Sequence, residues 1–380
     1  MKIIIAIDSF KGSLSSLEAG NIAAQAALDI FPAADIQRFP IADGGEGTVD
    51  ALTSGLGGSI QNVVVTGPLG QKITSRYGLL PQNHTAVIEM ADAAGLPLVP
   101  PAQRNPLHTT TYGLGELILE AARAGCREFI IGIGGSATND CGLGMLSALG
   151  VQFSQADGRL CGLTGGDLET VAAIDMQRLE PVLKDCRLHI ACDVKNPLYG
   201  PQGCCAIFAP QKGASPAIVQ QLERGVRSFA EKSSWQFHSW DAQLPGAGAA
   251  GGLGYAFHTF LHASLQPGTS LIFKAIGLES ALADADLVIT GEGCIDAQTT
   301  MGKAPVGIAQ LAKSQQPQAR VIALCGSALP AAGQINACGI DAYFSILNAP
   351  LSLAEAMDPA MAKRNLRQTT EQVLRLLRTT

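Results

Sequence analysis

The chain has 380 residues, 47% of them hydrophobic and 15% charged, enough to bury more than one core, so two domains are expected. A net charge of -6 and the absence of basic runs interleaved with aromatics exclude a nucleic-acid partner from the expectation. No stretch of about 20 apolar residues offers a membrane span, and the N-terminal apolar run is too short for a secretory signal. The ten cysteines include no C-x-x-C pair, so a cytoplasmic protein with reduced thiols is expected.

In chain order, KIIIAID reads as a buried first strand, and Ser15-x-x-Glu18 before SLEAGNIAAQAALDIF reads as a capping box that opens a helix. IADGGEGT follows, with Asp43 and Glu46 around a glycine pair. The stretch VVVTGPLGQKITSRYGLLPQNHTAVIEMA alternates strand-like runs with turn residues and predicts antiparallel hairpins. EFIIGIGG and RLHIACD are further strands that end in Gly or Asp. The glycine loop GAGAAGGLG leads into a helical segment in which His258 and His262 stand four apart, without a third ligand that would make them a metal site. The strand pattern of the beginning returns in ADLVITGEG and ARVIALCG, and Ser352-x-x-Glu355 marks another helix start. The C-terminal KRNLRQTTEQVLRLLRTT reads as a surface helix with an apolar stripe and a solvated arginine face.

This pattern predicts an α/β protein of two domains. Residues 1–65 and 268–380 would form a discontinuous Rossmann-like domain with a parallel sheet, and 66–267 an inserted mixed α/β domain, with the active site in the cleft between them.

The stretch GIGGSATNDCGLGM, from Gly132, contains G-x-G-x-x-A after a strand. A dinucleotide site would also need a full helix after the loop and an acid about 20 residues on. The helical pattern after Asp140 is short, and the nearest candidate, Asp157, lies in the turn QADGR. A phosphate carrying magnesium tolerates Asp140 better than a bare pyrophosphate does, because the cation inverts the local charge logic. Asn139 or Asp140 as a plain helix cap is the alternative. A nicotinamide-dependent dehydrogenase and a non-catalytic two-lobed binding protein therefore stay open beside a phosphoryl-transfer enzyme.

DSFKGSLSSLEA, IADGGEGT, TGPLGQKI, RNPLHTTTYGLGELI, GIGGSATND, ACDVKNPL, APQKGA, GAGAAGGLG and VITGEGCIDAQTTMGKAP together resemble the bacterial glycerate kinase family, in its class I glycerate 2-kinase branch. The resemblance implies a two-domain α/β enzyme that moves the γ-phosphoryl group of ATP to D-glycerate, usually on the 2-hydroxyl, with Mg2+. It also implies a place at the end of glyoxylate, glucarate and galactarate breakdown. Four positions depart from the family pattern: Cys294 stands where arginine is common, Ile7 where proline is common, and Cys141 and Cys204 where glycine is frequent.

Phosphoryl transfer needs charge neutralisation, positioning and an acceptor for the hydroxyl proton. Asp193, at the end of RLHIACD, is the expected base, with Asn196 to hold it or a metal-bound oxygen and Asp296 as second choice. Asp43, Glu46 and Glu292 are the expected magnesium ligands. Gly134, Gly135, Ser136 and Thr138, with Asn139, Asp140 and Lys303, are expected at the nucleotide phosphates. Asp8, Ser9, Lys11, Arg76 and Asn196 are expected at the glycerate, Lys11 also serving catalysis and suiting either the glycerate carboxylate or a phosphate.

Overall fold

A computed structural model describes residues 1–42, 44–81, 84–237, 241–297 and 299–378. Its strands are β1 (Lys2–Ile7), β2 (Asp35–Arg38), β3 (Ser59–Thr66), β4 (Lys72–Leu80), β5 (Thr85–Glu89), β6 (Glu128–Gly132), β7 (Gln152–Ser154), β8 (Ala173–Asp175), β9 (Arg187–Ala191), β10 (Ser264–Gln266), β11 (Leu287–Ile295), β12 (Arg320–Ala328) and β13 (Ala342–Ser345). The chain divides into two compact units, one of Met1–Asp43, Ser54–Leu56 and Thr269–Thr380, the other of Gly44–Thr53 and Gly57–Gly268.

In the first unit, β1 is buried from Ile3 to Ile7, as a parallel strand covered on both faces must be. The sheet runs β13-β12-β11-β1-β2 with every pairing parallel, and Ile3 lies opposite Leu287. Helix Ser16–Ile30 leads from β1 to β2 on one side, whereas the chain returns to β11 on the other side of β1. The strand order therefore reverses between β1 and β11, which is where open α/β sheets bind ligands, beyond the carboxyl ends of their strands. Both expected capping boxes are present: Glu18 N–H donates to Ser15 Oγ at 3.2 Å, and Glu355 N–H to Ser352 Oγ at 3.3 Å. Helix Pro359–Arg378 presents Leu366, Val373 and Leu374 to a core shared with Ile3, Ile5 and helix Ser16–Ile30.

The second unit carries the mixed sheet β10-β9-β6-β5-β4-β3. Its β3, β4 and β5 are antiparallel neighbours, matching the expected hairpins, and the rest are parallel. Residues 59–65, expected with the first domain, belong to β3 and pair with β4. Register aligns Glu89, Gly132 and Ala191 at the carboxyl ends of β5, β6 and β9, so the loops that follow these strands emerge from one edge.

Candidate active site

In the first unit the loops after β1 and β11 line a cavity of about 380 Å³ that gathers Asp8, Ser9, Lys11, Glu292, Asp296 and Lys303. The loop after β1 turns tightly, with Leu14 N–H donating to the Phe10 carbonyl at 3.0 Å and Gly12 at φ +76°. Ser9 N–H donates to Asp8 Oδ1 at 2.7 Å. Glu292 is buried, and the buried Thr299 hydroxyl donates to its Oε1 at 2.6 Å. Burial pushes the Glu292 carboxyl above the usual carboxylate range, opposed by the Thr299 bond and by Lys303 and Lys11, with Asp296 adding to the rise. Lys303 Nζ lies 3.6 Å from Asp296 Oδ1, and Thr299 N–H donates to that same oxygen at 3.2 Å. Two lysines and three acids thus line one hollow, suited to a polyanion with its counter-ion. Cys294, at the position where arginine is common, also lines this cavity.

At the sheet edge of the second unit, the loop that begins at Gly44 lies on the ends of β6 and β9. A Cβ on Gly132 would stand 2.1 Å from the Gly44 carbonyl oxygen, and one on Gly44 would stand 2.6 Å from Ala191 Cβ, so both positions require glycine. Glu89, which no sequence feature singled out, is buried below this loop and accepts from Val49 N–H at 2.7 Å. Burial pushes its carboxyl up to about 7 against backbone donation from Val49, while Asp92 adds to the rise and Gly47 N–H and Arg76 oppose it. Arg76 forks onto both carboxylate oxygens of Asp50 at 2.8 Å and reaches Asp92 at 3.1 Å. Its guanidinium is thereby engaged within the protein, which leaves less of it for the substrate carboxylate it was expected to hold.

The glycine-rich loop after β6 divides into an exposed and an internal part. Gly134 and Gly135 are exposed, but Ser136, Thr138, Asn139 and Asp140 are buried. Lys212, itself 2% exposed, donates to Ser136 Oγ at 2.7 Å and to the Thr138 carbonyl at 2.6 Å. Burial lowers the Lys212 ammonium to about 8, opposed by Cys204, Asp140 and Cys205. Asp140 accepts from Thr111 N–H and Oγ1 at 2.8 and 2.7 Å, and from Gly142 and Gly144 N–H at 3.2 and 3.3 Å. Asn139 donates to the thiols of Cys204 and Cys205. Asp140, expected at the nucleotide, takes its donors from the loop itself and from Thr111, and Asn139 is buried beside it, its Oδ1 and the Thr138 hydroxyl without hydrogen-bond partners among the described residues. The GAGAAGGLG segment also packs inward: Cys141 N–H donates to the Gly251 carbonyl at 3.0 Å. Cys141, where glycine is frequent, takes a φ of +48°.

Asp193 is exposed two residues beyond β9, and its Oδ1 accepts from Gly268 N–H at 2.9 Å. The Asn196 side chain donates to the Gln202 carbonyl at 2.8 Å. Glu46 is exposed on the loop that begins at Gly44, and Asp43 lies outside the described residues. Of the residues missed, Glu89 closes a strand as Asp8 does and was open to the same reasoning. Lys212 stands in APQKGA, but its role there was not legible, since the groups it binds lie far off in sequence.

No helix among the described residues is long and apolar enough to cross a membrane. The model of the glycerate kinase family matches residues 3–378. A glycerate kinase of Bacillus subtilis is 48% identical over 95% of this chain and 94% of its own length, and a glycerate 2-kinase of Escherichia coli is 46% identical over 97% and 98%. The crystal structure of a glycerate kinase 2 from Salmonella typhimurium LT2 superposes with a TM-score of 0.91 at 45% identity, covering 100% of this chain and 98% of that one. With near-complete coverage in sequence and structure alike, the chain belongs to the glycerate kinase family.

Proposed function

We infer that the protein transfers the γ-phosphoryl group of ATP to the 2-hydroxyl of D-glycerate, giving 2-phosphoglycerate and ADP. The observation that carries this reading is the match along nearly the whole chain to a glycerate 2-kinase. A cytoplasmic place in glyoxylate, glucarate or galactarate breakdown follows from the same reading.

Asp193 is the proposed general base, since it is exposed beyond the carboxyl end of the parallel strand β9 and is oriented by the Gly268 N–H. Lys11 and Lys303 counter phosphate charge in the first unit. The exposed glycines Gly134 and Gly135 suit the approach of a single small anion, a carboxylate or one phosphate group.

Magnesium keeps most of its waters and takes one or two protein carboxylates together with substrate phosphate. No group of three or more His, Cys, Asp or Glu among the described residues is placed to bind a metal by itself, while Glu292 and Asp296 line one cavity beside two lysines. These residues fit a cation shared with phosphate, and Glu292 and Asp296 would hold it. When bound, the ion neutralises charge on the phosphoryl group.

Purified protein given ATP, magnesium and D-glycerate, followed by enolase alone, should produce phosphoenolpyruvate. Phosphoenolpyruvate that appears only after a phosphoglycerate mutase is added would reassign the reaction to the 3-hydroxyl. Absence of ADP would end the kinase reading.

A further inference from the structure

The cavity of the first unit is larger and more apolar than a three-carbon hydroxy acid needs. At about 380 Å³ it falls within the range of pockets that enclose whole cofactors, roughly 300–1,000 Å³. The ends of β1 and β11 supply its charged groups, and the chain after β13 supplies a different surface, Ile346, Leu347, Leu353 and Met357, joined by Phe10. Met357 rests against the loop after β1, since a Cβ on Gly12 would stand 2.8 Å from Met357 Cε. An apolar wall thereby continues into the side of the cavity that carries Lys11 and Lys303.

We propose that this cavity binds the nucleotide, with the flat base of ATP against Phe10, Ile346, Leu353 and Met357 and its phosphates at Lys11 and Lys303. This assignment rests on the kinase reading and moves the nucleotide away from the glycine-rich loop of the second unit. Two independent observations favour the move. The cavity lies where the strand order of a parallel sheet reverses. The glycine-rich loop has committed the Ser136 hydroxyl and the Thr138 carbonyl to Lys212 and has buried Thr138, Asn139 and Asp140, which leaves two exposed glycines for an anion. A nucleoside gains most of its affinity from apolar enclosure, with a few polar groups to fix orientation, and the cavity of the first unit combines both.

The test is calorimetric binding of ADP with magnesium to the wild-type protein and to Leu353→Asp, Leu353→Met and Ala356→Trp, with steady-state kinetics alongside. Leu353 is 79% exposed at the cavity mouth, so its replacement leaves folding intact, and Ala356 lines the same cavity, where tryptophan fills the volume. Leu353→Asp and Ala356→Trp should each weaken ADP binding at least tenfold and raise KM for ATP in parallel. KM for D-glycerate should stay within twofold, and Leu353→Met should keep near-wild-type ADP affinity. An ADP affinity unchanged within twofold in both disruptive variants overturns the site while the kinase reading stands, provided the wild type turns over ATP. A rise in KM for D-glycerate with unchanged ADP binding overturns it as well and assigns the cavity to the acid. A folded wild-type protein that binds neither ADP nor ATP overturns the kinase reading and the site together.

Discussion

Asp193 combines exposure at a strand end with a backbone donor that orients it, the two properties a base for an alcohol requires. Asp193→Asn keeps the shape and removes the proton acceptor, so kcat should fall about 10²–10⁴-fold, roughly 3–5 kcal/mol, with both KM values little changed. A residual kcat above about a tenth of wild type, or recovery with excess magnesium, would remove the base role from Asp193. Glu89 offers a pH test. Its carboxyl is raised from 4.5 to about 7, so the folded state binds a proton that the unfolded chain has lost in that window. The stability it contributes is complete below about pH 4.5 and disappears as pH rises through 7. Glu89→Gln, which keeps an acceptor for Val49 N–H without the charge, should therefore gain relative to wild type between pH 5 and 8, by about 1–3 kcal/mol in chemical denaturation. A difference that stays flat with pH would show that Glu89 does not titrate there. At this scale the sequence exposed the acids and lysines that follow apolar runs, Asp8, Lys11, Glu292, Asp296 and Lys303, because a strand-end position is a local property. It concealed burial and long-range pairing, which is why Arg76, Asn139 and Asp140 read as ligand contacts although the fold pairs Arg76 with Asp50 and Asp92 and buries Asn139 and Asp140.

Glycine-rich segments illustrate the same division among elements. The sequence marks each of them as a loop at a strand end or helix start, but glycine serves two purposes there: approach to a ligand and approach to another backbone. Gly251 serves the second. It has a φ of +68°, and a Cβ would lie 2.2 Å from the Thr138 carbonyl oxygen. Gly251→Ala combines left-handed strain of about 1–2 kcal/mol with that collision, so thermal denaturation should show a loss above about 2 kcal/mol, or several degrees in Tm for a unit of this size. Gly20→Ala makes the contrasting control, since Gly20 lies within helix Ser16–Ile30 with no atom near the new methyl group. It should stabilise by about 0.5–1 kcal/mol. Equal effects of the two substitutions would contradict the packing role of Gly251. The capping boxes were readable because their partners are three residues apart, within a single turn.

Over the whole molecule, the nicotinamide alternative illustrates how far a motif can travel without its context. G-x-G-x-x-A after β6 is followed by the short helix Leu143–Ala148, and its inner residues are bound to Lys212 and Thr111. It is a supported turn that exposes two glycines, unlike a dinucleotide cradle with a full helix behind it. By itself, the amino-acid order determined the parallel-strand pattern, two capped helix starts and the antiparallel stretch after residue 63, while the kind of chemistry came from the family resemblance of its motifs. Alternation, caps and strand-end acids act between residues close in the chain, so they survive in a one-dimensional reading. Tertiary structure alone decided that β1 lies beside β11, with the reversal of strand order that opens a cavity there. It also decided that Ile346, Leu353 and Met357 join Lys11 and Lys303 around that cavity, and that Glu89 and Lys212 are buried. These are meetings of residues tens to hundreds of positions apart, and they depend on sheet order and on which groups are withdrawn from water, neither of which a local pattern encodes.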